Sequence, residues 1–386
     1  MTRYLPLAAL LLLGACSKTA ALSDSADSAT VSGQEGAQAS SHGPAEATLL
    51  FVGDAMQHQD QLDRAKALGA DGEYDYSGCF SLLAPAVKGA DYAVVNLEVP
   101  LGGGRGGYTG YPCFSAPDAF AVALKEAGFD LFLTANNHTL DRGDAGLRRT
   151  LQVLDSIKVD HVGTYHDKEE RERLVPFIKD VNGIRIAFLN YTYGTNGLEA
   201  KAGAEVSLID KGAMADEMRR AREAGAELVV VMPHWGVEYV LTENAAQRDV
   251  AQFLIDEGAD LVIGGHPHVV QPMKVVRSDK HDKDVLVVYS LGNFISNMKT
   301  GDTRGGAMVT AVVERGADGE ARFKSATYDT FYAAKPDGTA RSNFRVIPSW
   351  RADEIPAAQR GWWNTFDGSA RRVFSRHNIN VPAATH

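Results

Sequence analysis

From Thr48 onward, short apolar runs alternate with longer amphipathic stretches. Strands are predicted at Leu49 to Val52, Tyr92 to Val95, Leu131 to Thr134, Ile184 to Asn190, Leu228 to Met232, Leu261 to Ile263 and Val285 to Tyr289. Apolar residues at three- and four-residue spacing predict helices at Ala119 to Ala127, Gly146 to Ile157, Lys211 to Ala224 and Ala245 to Glu257. Gly128 and Gly258 stand where helix C-caps are expected. Such alternation implies a layered α/β fold with right-handed crossovers between largely parallel strands. The body spans residues 48–315. After that the chain becomes polar and turn-rich, with Trp350, Trp362 and Trp363, and residues 316–386 read as a C-terminal extension packed on the domain.

The first 47 residues have a different pattern. Arg3 precedes an apolar run from Leu5 to Leu13 that is too short to cross a bilayer, so residues 1–15 read as a cleaved signal. Leu13-Gly14-Ala15-Cys16 matches the lipoprotein cleavage box, which makes Cys16 the expected site of lipidation; a plain secretory signal is the alternative. Residues 16–47 are dominated by Ala, Ser, Gly and Asp and form an expected disordered tether with a reach of roughly 30 Å. The expected location is the cell envelope. Ser17 comes after the cysteine where lipoproteins retained at the inner membrane carry Asp, which points to the outer membrane in a two-membrane cell.

Composition narrows the partners. A net charge of −10 with no basic stripe argues against nucleic acid and against adhesion to anionic headgroups through surface charge. With Cys16 lipidated, Cys79 and Cys113 remain, able to form one disulfide in an oxidising compartment or to sit as two separate buried thiols.

The informative residues lie just beyond the strands. Five apolar runs end in polar clusters: Asp54 to His58, Asn96 to Glu98, Asn136 to His138 with Asp141 and Arg142, His234 to Glu238, and His266 to His268. Ligands of open α/β sheets bind beyond the carboxyl ends of strands. Each cluster alone has an ordinary structural explanation: Asp54 as a helix cap, Glu98 as an ion-pair partner, Asn136 and Asn137 as turn residues, a lone His as a hydrogen-bonded structural group. Recurrence at five strand ends favours a shared cation site. Imidazole, carboxylate and amide oxygens together suit Mn²⁺, Fe²⁺ or Zn²⁺. Such ions polarise phosphoryl oxygens and acidify water. Asp141 and Arg142 read equally as an anion-binding rim or a helix-initiating turn. Glu238 reads as an acceptor orienting His234, Trp235 as core packing and Asn293 as a pocket hydrogen-bonder.

The ordered segments GDAMQH, NLEVPL, ANNHTLDRG, HWGVEY, GGHPHVVQP and YSLGNF resemble those of CapA-type, or PGA-cap, proteins associated with poly-γ-glutamate capsule synthesis. YTGYP (Tyr108–Pro112) and YTYGTNG (Tyr191–Gly197) match a branch of the family as well. That family resembles the calcineurin-like metallophosphoesterases. The resemblance implies a four-layer α/β/β/α sandwich with two divalent metals, one of them in question here. It makes Asp54, Glu98, Asn137, His234, His266 and His268 ligands, with His138 as the acid beside a leaving group and Asn136 nearby. The superfamily's D-x-H is Asp54-Ala55-Met56 in this chain, so His58 is the available substitute, and Glu98 replaces a bridging Asp.

These readings predict an envelope lipoprotein of capsule or exopolymer synthesis with metal-dependent hydrolytic chemistry. Its partners would be an anionic polymer or phosphoester, membrane proteins of polymer synthesis, and the membrane through its anchor. A non-catalytic polymer- or partner-binding scaffold is the rival, and an envelope nucleotidase a third possibility.

Overall fold

A computed structural model describes residues 43–103, 106–338 and 342–386; the signal, Cys16 and nearly all of the tether lie outside the described residues. In chain order the first elements are β1 (Ala45–Ala55), α1 (Gln59–Leu68), α2 (Ala84–Lys88), β2 (Tyr92–Leu97), α3 (Asp118–Ala127), β3 (Leu131–Leu133) and α4 (Gly143–Ser156). Then come β4 (Asp160–Val162), β5 (Thr164–Tyr165), α5 (Lys168–Leu174), β6 (Phe177–Val181), β7 (Ile184–Thr192), β8 (Glu205–Val206) and α6 (Lys211–Glu223). The chain continues through β9 (Leu228–His234), α7 (Ala245–Asp256), β10 (Leu261–Ile263), β11 (Met273–Ser278), β12 (Lys283–Val288) and β13 (Asn293–Ile295). It closes with β14 (Gly305–Arg315), β15 (Ala321–Ala334), β16 (Arg345–Pro348) and α8 (Arg360–His377).

Two large sheets stack between helices. One has the order β16-β15-β14-β1-β2-β3-β4, with β13 also pairing β1; the other is β11-β12-β10-β9-β7-β6. Period-two alternation explains the layering. Leu49, Phe51 and Val94 face Ile186, Phe188, Val230 and Leu286 across the inter-sheet core. Leu50, Val52 and Val95 face the opposite way, onto Val87, Phe120 and Leu124 of α2 and α3. On the second sheet, Leu189, Val229 and Val231 pack against Met214 and Met218 of α6 and Leu254 of α7. The strands are apolar on both faces because both faces are covered. The result is an α/β/β/α sandwich.

The central pairings β1–β2, β2–β3 and β9–β10 are parallel, whereas β14, β15 and β16 add to the first sheet antiparallel. Residues 316–386 are therefore more than a cover. β15 pairs with β14 from Gly305 to Arg315, and α8 buries Trp363, Phe366, Ala370, Val373 and Phe374 in the inter-sheet core. Trp362 stays exposed.

Candidate metal centre

The polar clusters meet where the parallel strands end. Near the end of β1 the register against β2 shifts between Phe51 and Asp54, a bulge that turns the strand as it delivers Asp54. Gly53 permits this, since a Cβ there would lie 1.8 Å from the Gly292 carbonyl oxygen. Asn96 pairs with Asp54 across the ladder from one side and Asn293 from the other. Glu98 comes directly after β2, His234 ends β9, and His266 and His268 come after β10 with φ of +97° and +58°. Backbone in that region is uncommon for residues other than glycine and persists where the surroundings enforce it.

Asp54, Glu98, Asn137, His234, His266 and His268 are all buried. His268 Nδ1 lies 3.2 Å from Asp54 Oδ2, and its Nε2 lies 3.8 Å from Glu98 Oε1. His234 Nε2 is 3.5 Å from the same Glu98 oxygen and 2.8 Å from Asn137 Oδ1. The His234 and His266 rings are 4.9 Å apart between centroids. Asp54–Glu98–His268 and Glu98–His234–His266 each bring one ligand atom per residue within 4.8 Å of the others. Glu98 belongs to both groups.

Several residues hold this arrangement. Asn96 Nδ2 donates to Asp54 Oδ1 at 2.7 Å, and Asn136 Nδ2 donates to the Leu97 carbonyl at 2.9 Å. Asn293 Oδ1 sits 3.0 Å from His268 Nδ1 while its amide donates to the Thr303 carbonyl at 3.1 Å. His138 Nδ1 is 2.8 Å from Asp141 Oδ2, which also accepts the Phe114 N–H at 2.7 Å. Sequence reasoning alone misses Asn96 as a restraint on Asp54. Its position two residues before Glu98, hence on the same side of an extended strand, is the available signal.

Charge in the centre is finely opposed. Burial resists ionisation of Asp54, but the His268 hydrogen bond, the His234 and His268 charges and the Asn96 amide outweigh it and hold the carboxyl well below its usual range. Burial and then the Asp54 charge push Glu98 well above its ordinary value. Burial drives His234 down to about 3 and His266, beside His234, to about 2. For His268, burial is overcome by Glu98 and Asp54, and its pKa rises to about 9. The ionised Asp54 thus faces the His268 imidazolium, while Glu98 is held toward its protonated form and would give up that proton to a bound cation. Glu98 Oε1 and His266 Nδ1 are buried without a hydrogen-bond partner. Unpaired buried acceptors of this kind, in a mixed imidazole, carboxylate and amide set, fit a divalent cation of borderline hardness.

Other expectations are corrected. His58 joins neither group: its Nδ1 accepts the Asn297 N–H at 3.2 Å, so it does not replace the missing D-x-H histidine, and Met56 is buried. Arg142 does not form an anion rim. Its guanidinium is spent on the Phe114 and Cys113 carbonyls and the Thr109 hydroxyl, holding the loop between them. Asp141 orients His138 instead of binding ligand. Glu238 does not orient His234, whose ring nitrogens meet Asn137 and Asn96; it is exposed and groups with His266 and His268. Cys79 and Cys113 are both free, one buried against the α2–α3 core and the other exposed on the Arg142-held loop. Trp235 is buried and donates its indole N–H to the Tyr289 carbonyl.

The sandwich and its imidazole–carboxylate rim define a layered α/β protein with a candidate two-cation centre. Residues 48–298 match the profile of the bacterial capsule synthesis protein PGA_cap, and the chain belongs to that family. It is 29% identical over 271 residues to the capsule biosynthesis protein CapA of Bacillus anthracis, covering 68% of this chain and 62% of that one. It is also 29% identical over 289 residues to the PGA biosynthesis protein CapA of Bacillus subtilis (strain 168), covering 72% and 70%. The chain therefore spans less than two thirds of the first of these relatives. Similar solved structures include the NAD nucleotidase NadN of Haemophilus influenzae (TM-score 0.46, 11% identity, 86% of this chain and 61% of that one). The calcineurin-like phosphoesterase YfkN of Bacillus subtilis is another (TM-score 0.43, 12% identity, 84% and 99%).

Proposed function

We propose that this protein is a divalent-metal-dependent hydrolase of capsule or exopolymer synthesis or export, held in the cell envelope by lipid on Cys16. The observation that carries the reading is Glu98, whose carboxylate is common to the Asp54–His268 and His234–His266 groups. Asp54, Glu98 and His268 would hold one cation; Glu98, Asn137, His234 and His266 the other. Bound cations of this type polarise a phosphoryl or acyl oxygen and bring the pKa of water near neutrality.

The chain's own residues supply the rest. Asn96 and Asn293 fix the Asp54 and His268 side chains, so the ligand set needs little reorganisation. His138, braced through Nδ1 by Asp141, lines the cleft beside His268 and is placed to pass a proton to a leaving group. An anionic polymer or phosphoester is the substrate class this favours, with membrane-bound polymer-synthesis proteins as partners.

A non-catalytic scaffold is the second reading, favoured by Met56 standing where the superfamily has histidine and leaving the Asp54 group one ligand short. Elemental analysis of the purified protein, with a phosphodiester turnover assay, separates the two. About two equivalents of Mn, Fe or Zn with turnover supports the hydrolase. Bound metal without turnover across a phosphoester and amide panel supports the scaffold, and no bound metal at all removes both. Palmitate labelling that persists in Cys16→Ala would remove the anchor.

A further inference from the structure

On the hydrolase reading, the cation at Asp54 is one protein ligand short, because Met56 stands where the superfamily has histidine. A cleft of about 540 Å³ reaches His268 and is lined by Met56 and by four further imidazole or carboxylate groups: His58, Asp60, His138 and Glu238. Three of the four are committed elsewhere. His58 Nδ1 accepts the Asn297 N–H, Asp60 accepts the Asn297 side-chain amide at 2.6 Å, and His138 Nδ1 faces Asp141. Glu238 is left. One of its carboxylate oxygens lies within 4.8 Å of a ring nitrogen of His266 and of one of His268. It therefore touches one imidazole from each cation group, since His268 belongs with Asp54 and His266 with His234. Buried Glu98 joins the two groups from within; exposed Glu238 faces them from the cleft.

The main chain fastens the loop carrying Glu238 to the loop carrying both histidines. The Gly265 N–H donates to the Pro233 carbonyl and the Trp235 N–H to the Gly265 carbonyl, both at 3.1 Å. The Tyr239 N–H donates to the Pro267 carbonyl at 2.8 Å, tying the residue after Glu238 to the residue between the histidines. The turn takes left-handed backbone at Gly236 (φ +99°) and again at Tyr239 (φ +67°). A bulky side chain seldom adopts that conformation, and it persists where the surroundings enforce it. Its result here is a carboxylate held against the His-Pro-His turn. His266 Nδ1 is buried there without a hydrogen-bond partner.

Ligand chemistry sets the consequence. With Glu238, the Asp54 position has three carboxylates and one imidazole. The other position has two imidazoles, the Asn137 amide oxygen and the shared Glu98. Carboxylate oxygens suit Mn²⁺, whereas imidazole suits Zn²⁺ and Fe²⁺. A carboxylate in place of the missing histidine thus makes the two positions unlike. Three carboxylates against two dications still leave a net positive centre for an anionic substrate.

We propose that Glu238 is the fourth protein ligand of the cation at Asp54, Glu98 and His268, and that it makes this the manganese position beside zinc or iron at the imidazole-rich one. The presence of two cations rests on the hydrolase reading, which this assignment deepens.

The test uses the full chain, stripped of metal, given one equivalent of Zn²⁺ and then titrated with Mn²⁺. Free manganese is read by its paramagnetic resonance signal, and zinc affinity by competition with a chromophoric chelator. The parent should bind one Mn²⁺ beside the zinc. Glu238→Gln should bind it at least about tenfold more weakly, the loss that removal of even an outer partner of a ligand causes, and should hold zinc as the parent does. An exposed Glu-to-Gln exchange leaves the fold alone, so the metal-free variant should melt with the parent; a much lower melting point would make Glu238 a structural residue instead. Parent-like manganese binding by Glu238→Gln, or a parent that takes zinc but no manganese, would overturn the assignment and leave a metal-dependent hydrolase standing. Equal weakening of both metals would overturn it too, because a lost charge acts on both cations and a lost ligand on one. A parent that takes up neither metal would remove the hydrolase reading and the assignment with it.

Discussion

His234 Nε2 and Asn137 Oδ1 lie 2.8 Å apart although 97 positions separate them in the chain. One ends β9 of the second sheet and the other lies just after β3 of the first, so the contact ties the two sheets together at the centre. If a cation takes both atoms as ligands, Asn137→Ala removes one neutral oxygen and little else. Metal affinity, measured by competition with a chromophoric chelator, should fall by about 10- to 100-fold, with the folded far-UV signal retained. Unchanged affinity would take Asn137 out of the ligand set.

Glu98 offers a sharper test because it is shared. Gln copies the shape of the protonated carboxyl that burial and Asp54 already favour. Metal-free Glu98→Gln should therefore melt within about 1 kcal/mol of the parent. The parent should gain roughly 2.7 kcal/mol when metal is supplied at a hundred times its Kd, and the variant should gain almost none. A variant with the full metal-induced rise in Tm would show that Glu98 bridges nothing.

Stability of the metal-free protein should depend on pH with a definite sign. His58 is lowered to about 4 by burial, and His234 and His266 lie lower still, near 3 and 2. Below an unfolded value near 6.5 the unfolded chain binds three protons that these groups refuse in the fold, so stability falls as pH drops. Glu98, raised by burial and Asp54, opposes them by one proton. The net of about two protons corresponds to roughly 2–3 kcal/mol per pH unit near pH 5. On the alkaline side His268, raised to about 9 by Glu98 and Asp54 against burial, contributes stability that is complete below 6.5 and lost as pH rises through 9. Urea midpoints should peak near neutrality, and His268→Gln should flatten the alkaline limb. A peak near pH 5 would contradict these assignments.

The sequence made visible what is local and periodic. Doubly buried strands such as Leu49 to Val52 and Leu228 to Met232 announce themselves, and so do the polar residues that interrupt them. What a side chain spends itself on is a spatial matter. Arg142 beside His138 looks like a substrate clamp until the loop at Cys113 folds over it. His58 looks like a ligand until Asn297 donates to it from 239 positions away. Likewise β15 mixes Arg, Lys, Ser, Thr and Asp with its aromatics, so its place in the sheet emerges only from its pairing with β14.

Adjacent glycines allow site and fold to be tested apart. A Cβ at Gly264 would lie 2.2 Å from the Tyr289 carbonyl oxygen and 2.4 Å from the Trp235 indole nitrogen, neither of which can move without opening the second sheet. Gly264→Ala should therefore yield little soluble protein. At Gly265 the nearest atoms are Asp54 Oδ1 at 3.0 Å and His234 Nδ1 at 3.6 Å, and both belong to the centre. Accommodating that methyl needs a shift of a few tenths of an ångström from a fully buried Asp54 that Asn96 and His268 already restrain. Overpacking of this size costs about 1–3 kcal/mol, which a fold with this much core can bear. Gly265→Ala should thus fold, melt a few degrees lower, and bind metal at least about tenfold more weakly. Parent-like metal affinity in a folded Gly265→Ala protein would mean that Asp54 and His234 do not share the centre this glycine opens onto.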